Sequence, residues 1–159
     1  MSNQIAYYKF EKFKNTRFNE LTGKIITKFE INEKGDILEI ITKSGMRFKL
    51  DGSGGFAKIE AYLENDLDEL NLVVGKTIIS AEEIGEDYVD GALAFFYNIN
   101  TIDGFVQIRF IGEDDAYYAS EVEISRTKNL EETLNHIDEG NKLIKEIEED
   151  LRMITNEIL

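Results

Sequence analysis

The chain has no Cys, no Pro and no Trp among its 159 residues, and a single His. Without Cys there is no disulfide framework, no thiolate metal site and no cysteine nucleophile. With His136 as the one imidazole, zinc lacks its customary ligands, and a His-based triad has only this residue to build on. The same scarcity leaves no metal and no cofactor expected. Long apolar runs are missing too, since no window approaches the roughly 18 residues a spanning helix needs. The start, Met1-Ser2-Asn3-Gln4-Ile5, carries neither a signal-peptide pattern nor a lipidation motif, so the expected location is the cytoplasm. Absence of Pro beside abundant Lys, Ile, Asn and Glu suggests an AT-rich bacterial or phage gene, in which case that cytoplasm is the host's.

Positive charge is scarce where it matters most. Net charge is −14, yet residues 1–50 hold ten Lys/Arg against six Asp/Glu. Residues 51–125 hold three against seventeen, and residues 126–159 five against nine. The middle therefore carries the whole imbalance. Such a block argues against direct nucleic-acid binding, which needs Lys and Arg to replace counterions. It suits a surface steered onto a basic partner, although acidic surfaces also simply keep proteins soluble.

What is present is a folded composition, 42% hydrophobic and 31% charged, enough for one domain with a core. Two segments match. Leu21-Thr22-Gly23-Lys24-Ile25-Ile26-Thr27-Lys28-Phe29-Glu30 lies over Val73-Val74-Gly75-Lys76-Thr77-Ile78-Ile79-Ser80-Ala81-Glu82. After each comes a strand pattern, a Gly turn and another strand: 37–42, Ser44-Gly45 and 46–50, then 93–101, Asp103-Gly104 and 105–111. Both last strands contain an Arg-Phe pair, Arg47-Phe48 and Arg109-Phe110. The expectation is an α+β fold with antiparallel sheets from two similar three-stranded meanders. Gly35, Gly45 and Gly104 are placed for the positive φ of hairpin turns. A further strand is expected over 118–124, with Val122 and Ile124 inward. Between the meanders, Ile59, Leu63, Leu67 and Leu70 recur at helical spacing, which predicts one or two short helices over 57–72.

The end of the chain reads differently, giving a first domain over 1–126 and a helical segment over 127–159. Leu130, Leu134, Ile137, Ile144, Ile147, Leu151, Ile154 and Ile158 recur at intervals of three and four, the stripe of an amphipathic helix. Asn129 with Glu132 fits a capping box. Asn141 falls where the stripe expects an apolar residue. Two arrangements suit such a helix: packing across the sheet, or a coiled coil whose interface is Leu134, Ile137, Asn141, Ile144, Ile147, Leu151, Ile154 and Ile158. The coiled coil would make a homodimer or grip a partner, with Asn141 selecting register.

Catalytic patterns are weak. The Gly-rich stretch Asp51-Gly52-Ser53-Gly54-Gly55 lacks the Lys-Ser/Thr ending of a phosphate loop and the spacing of a dinucleotide fingerprint. Carboxylates cluster at Asp66/Asp68/Glu69, at Glu82/Glu83/Glu86/Asp87/Asp90 and at Glu113/Asp114/Asp115, none with calcium-loop spacing. The last two clusters read as loops that flank one strand pair, which predicts an acidic rim at one end of a sheet with Tyr88, Tyr117 and Tyr118 interleaved. Rings supply contact area there, and acids supply steering and Arg pairing.

The run Gly75-Lys76-Thr77-Ile78-Ile79-Ser80-Ala81-Glu82-Glu83, the stretch Phe95-Phe96-Tyr97-Asn98-Ile99 and the segment from Gly104-Phe105-Val106-Gln107-Ile108-Arg109-Phe110-Ile111-Gly112-Glu113 through Tyr117-Tyr118 resemble a small domain of uncharacterised function carried by phages and prophages of Gram-positive bacteria. The resemblance covers roughly residues 20–125, and residues 51–56 stand where that domain carries a Cys-containing stretch. It implies a mobile-element setting, and no catalytic residues carry over from it. The resulting expectation is a non-enzymatic inhibitor, similar to anti-CRISPR proteins that mimic DNA charge. It would bind a basic, nucleic-acid-binding host protein through Glu82, Glu83, Glu86, Asp87, Tyr88, Asp90, Glu113, Asp114, Asp115, Tyr117 and Tyr118. Two other readings stand beside it: an immunity protein against a basic nuclease toxin, and a nucleotide-signal sponge using the Gly loop with Arg47 and Arg109.

Overall fold

A computed structural model of the chain describes residues 13–54, 58–113, 119–127 and 130–158. It divides into two units, Phe13–Thr127 and a second whose described part is one long helix.

In the first unit the duplicated segments build duplicated structure. A 3₁₀ turn, Phe18–Leu21, precedes Gly23, and another, Asn71–Val73, precedes Gly75. Both glycines sit at φ +83°, a left-handed conformation that a side chain rarely tolerates. Each bends the chain into the first strand of a meander. The first meander is β2 (Ile26–Ile31), β3 (Ile37–Thr42) and β4 (Arg47–Asp51); the second is β7 (Ile78–Val89), β8 (Ala92–Thr101) and β9 (Phe105–Gly112). The two bends bond reciprocally: Gly23 N–H donates to the Ile78 carbonyl and Gly75 N–H to the Ile26 carbonyl, each at 2.8 Å.

The remaining strands are exchanged. β5 (Lys58–Ile59) and β6 (Ala61–Leu63) follow the first meander, yet β6 pairs with β9 of the second. β10 (Ala119–Ser120) and β11 (Glu123–Thr127) follow the second, yet β11 pairs with β4 of the first. β5 and β10 pair with each other in parallel. With β1 (Phe13–Asn15) beside β11, the sheets run β1-β11-β4-β3-β2 and β6-β9-β8-β7. Their alternating apolar residues meet in one core around Phe18, Phe48, Phe110, Leu38, Ile40 and Ile108. Neither sheet is complete without a strand from the other half, so the two meanders cannot separate as independent domains.

Two glycines make this exchange sterically feasible. Gly52 directly follows β4 and its carbonyl accepts from Ala61 N–H at 2.7 Å, and a Cβ there would collide with the Ala61 carbonyl oxygen. Gly112 ends β9, where a Cβ would collide with Ser120. The Ala61 oxygen belongs to the backbone of a paired strand and cannot swing away. Gly52→Ala is therefore expected to destabilise the unit by about 1–3 kcal/mol, read as a lower urea midpoint at unchanged slope.

Several expectations need correction. Lys58–Leu63 forms strands rather than helix; α1 is the single turn Leu67–Leu70, capped by the Asp66 carboxylate at Glu69 N–H. Ile59, Ala61 and Leu63 fit period two as well as Ile59, Leu63 and Leu67 fit a helix, and pairing with β9 decides. The strand expected over 118–124 is two short ones, β10 and β11, although Val122 and Ile124 do pack on the core. Gly104 does not need positive φ. A Cβ there would lie 2.6 Å from the Leu72 carbonyl, so close backbone approach is the reason for glycine.

The second unit is α2, Leu130–Ile158, 29 residues and about 43 Å long. Its large apolar residues from Ile137 to Ile154 are exposed.

Candidate functional site

The acids around residue 85 do not form a loop. β7 runs unbroken through them to Val89, paired with β8 down to Val89↔Ala92 and closed by Asp90-Gly91. Asp90 (φ +50°) and Gly91 (φ +82°) both adopt the left-handed conformation of a two-residue hairpin turn. A bulge at Glu83–Gly85 interrupts the register. β7 is also the last strand of its sheet. Residues 82–89 are all exposed, and Ile84, Tyr88 and Val89 alternate with the carboxylates.

Register assigns the faces. Glu83, Glu86 and Tyr88 pair with Tyr97, Phe95 and Leu93, so they stand on the core side at its rim. Glu82 and Asp87 pair with Asn98 and Ala94 on the opposite face. Burial, reinforced by Glu83 and Glu86, pushes the Tyr97 hydroxyl far above its ordinary value, so it stays protonated.

Glu83 has a structural task. Its carboxylate accepts from Phe18 N–H at 3.1 Å, capping the first 3₁₀ turn. With Glu82 it lies beside Arg17 and Asn19. At the other end, Leu93↔Gly112 brings the start of β8 against the end of β9. Glu113 therefore joins the hairpin tip, in an open groove it shares with Glu60, Tyr62, Ala92 and Ile111. The expected compact rim is instead a line. Eight residues of strand put Glu82 about 25 Å from Asp90, and only Asp87, Tyr88, Asp90 and Glu113 gather at one end. Asp114, Asp115, Tyr117 and Tyr118 lie outside the described residues. The signal for the extended strand is Asp90-Gly91, a strong hairpin dipeptide between Tyr88-Val89 and Ala92-Leu93.

On α2, the expected interface residues Ile137, Asn141, Ile144, Ile147, Leu151 and Ile154 are all exposed. Leu134 and Ile158 lie on the helix, and their side chains fall outside the described set.

The cations are largely committed. Arg47 donates to Glu39 (2.7 Å) and Glu30 (3.3 Å), and Arg109 to Glu69 (3.1 Å) and Glu64 (3.4 Å). Neither guanidinium is poised for a phosphate. In the Gly-rich stretch, Gly52 N–H goes to the Asp36 carbonyl and Ser53 N–H to the Asp51 carboxylate. Those donors are not a vacant anion cradle, and residues 55–57 lie outside the described set. Among the described residues no cluster of three potential ligands could hold a metal ion, and no helix is long and apolar enough to cross a membrane.

Arg126 closes the floor between β4 and the first 3₁₀ turn, donating to Glu20. Burial pushes the Glu20 carboxyl up, but the neighbouring Thr16 side chain, together with the hydrogen bond and charge of Arg126, outweighs it and holds the carboxyl below the ordinary 4.5. This stabilisation is present above pH 4.5 and is lost as pH falls through the lowered native value. Glu20→Gln should cost about 1 kcal/mol at neutral pH, discounted for exposure of Glu20 to solvent. The difference from wild type should shrink to nothing in acid, as read from denaturation midpoints across pH.

No family model, curated protein or solved structure matches the chain.

Proposed function

We propose that the chain is a non-enzymatic binding protein that lays the acidic edge of β7 and the β7–β8 tip on a basic, nucleic-acid-binding surface of another protein. The phage or prophage setting implied by the sequence resemblance makes a bacterial defence nuclease the partner we propose, inhibited as anti-CRISPR proteins inhibit theirs. One observation carries this reading: an edge strand exposed over residues 82–89, with Glu82, Glu86 and Asp87 interleaved by Ile84, Tyr88 and Val89. Acids steer and pair with Arg, while Tyr88, 61% exposed, offers area for desolvated contact. A strand that only needed solubility would not also expose three large apolar side chains.

The test is capture of partners from the native host by the full chain, followed by affinity measurement at two salt concentrations. Expected is a nucleic-acid-binding protein, displaced by its own nucleic acid, whose affinity falls steeply between about 0.05 and 0.2 M salt. Affinity indifferent to salt would overturn the proposal. A captured toxin nuclease would replace the defence setting with that of an immunity protein.

A further inference from the structure

The helix carries a second surface, independent of the acidic edge. From Ile137 its apolar positions fall into a heptad: Ile137, Ile144 and Leu151 at a, Ile147 and Ile154 at d, with Gly140 at the first d. These five apolar side chains are 40–58% exposed, so among the described residues nothing covers the seam. Its width indicates what covers it. A helix packed on a sheet needs a broad stripe, about three to four apolar residues per two turns, whereas a coiled-coil seam needs a and d alone. Here Glu148 and Asp150 occupy the flanking e and g positions, so beside Ile147, Leu151 and Ile154 the stripe is as narrow as a seam. Packing α2 flat on a domain would bury those two carboxylates without partners.

Charge then fixes direction. In a parallel bundle, g meets e of the next heptad on the neighbouring helix, which sets Leu143 against Glu148 and Asp150 against Thr155 with no like-charge pair. An antiparallel pair centred on the same layers would set Glu148 against Glu148 and Asp150 against Asp150. Side-chain branching fixes number. A parallel dimer wants Leu at d; Ile at both a and d favours three strands or more. Both apolar d positions are Ile, and two of the three a positions are Ile.

We propose that three copies of this chain associate through a parallel coiled coil of α2, with Ile144, Ile147, Leu151 and Ile154 as its central layers. Each trimer presents three acidic hairpins, so a partner with repeated basic sites would be held by avidity. Because each chain is strongly acidic, added salt screens repulsion and leaves self-association equal or tighter, the reverse of its effect on a basic partner.

Sedimentation equilibrium of the full chain tests this at tens of micromolar, in low and in high salt. Expected is the mass of three chains in high salt, and at least as much trimer as in low salt. Ile147→Leu/Ile154→Leu should keep the seam apolar and shift the mass to two chains. Ile147→Asp/Ile154→Asp should give single chains while the sheet unit keeps its urea midpoint. A wild-type mass of one or two chains at every concentration would overturn the proposal, as would a Leu variant that remains trimeric.

Discussion

Reversing Glu82, Glu86, Asp87 and Asp90 to Lys together slows association with the basic partner by about 10²- to 10³-fold and leaves the domain folded. All four side chains are exposed, and none caps or closes another element in the way Glu83 does at Phe18. Asp90 sits in a left-handed conformation, so its replacement carries some turn strain, and a control with Asp90 retained separates the two effects. Steering depends on summed field, so single reversals should each cost little and the set should cost much. Salt dependence of the association rate should flatten in the quadruple variant. Stopped-flow association at two salt concentrations reads both. An unchanged rate with a raised dissociation rate would place the contact elsewhere, at Tyr88 or in the groove by Glu113.

Tyr88 separates steering from grip. Tyr88→Ala removes a large exposed ring beside Leu93 without changing charge. Its effect should fall on dissociation, with association and salt slope near wild type.

The sequence carried the duplicated plan because its signals are local: the paired Gly-Lys steps, the turn glycines and the period of the strands that follow. Gly23 and Gly75 stand out as a matching pair, and they occupy equivalent bends with reciprocal hydrogen bonds. The exchange of β6 and β11 was not legible, since pairing with a distant strand leaves no mark in a segment of three to five residues. The acidic strand was hidden by composition. Glu, Gly and Asp are depleted in strands, so residues 82–87 read as loop, and only pairing with the apolar β8 holds them extended. That error mattered for the site, because a loop would gather its carboxylates and a strand spreads them. The helix was legible in full outline, as its apolar period extends over many turns. Its register was harder. Asn141 draws the eye as a polar interruption, but continuing the seam back from Ile147 in steps of seven puts Gly140 at d and leaves Asn141 on the flank.

Truncating Phe110 to alanine should cost about 3–5 kcal/mol, among the largest single losses available in the sheet unit. Phe110 is fully buried on β9, opposite Phe95 of β8 and Leu63 of β6. Two effects compete there: collapse of the surroundings, which lowers the cost, and the lost transfer energy and residual cavity, which raise it. Collapse is restricted, because β6 is anchored through Ala61 N–H to Gly52 and through Leu63 N–H to the Gly35 carbonyl, both fixed points of the first meander. The cavity term should therefore win. Folded domains hold only about 5–15 kcal/mol in total, so the variant should be near the edge of unfolding. Phe105 on the same strand is 53% exposed, and Phe105→Ala should change stability by no more than about 0.5 kcal/mol. Because β6 belongs to the first half and β9 to the second, loss of Phe110 should unfold both meanders in one transition. Coincident far-UV circular dichroism and Tyr fluorescence curves would show that. Two separate transitions would mean that the exchanged strands do not couple the halves.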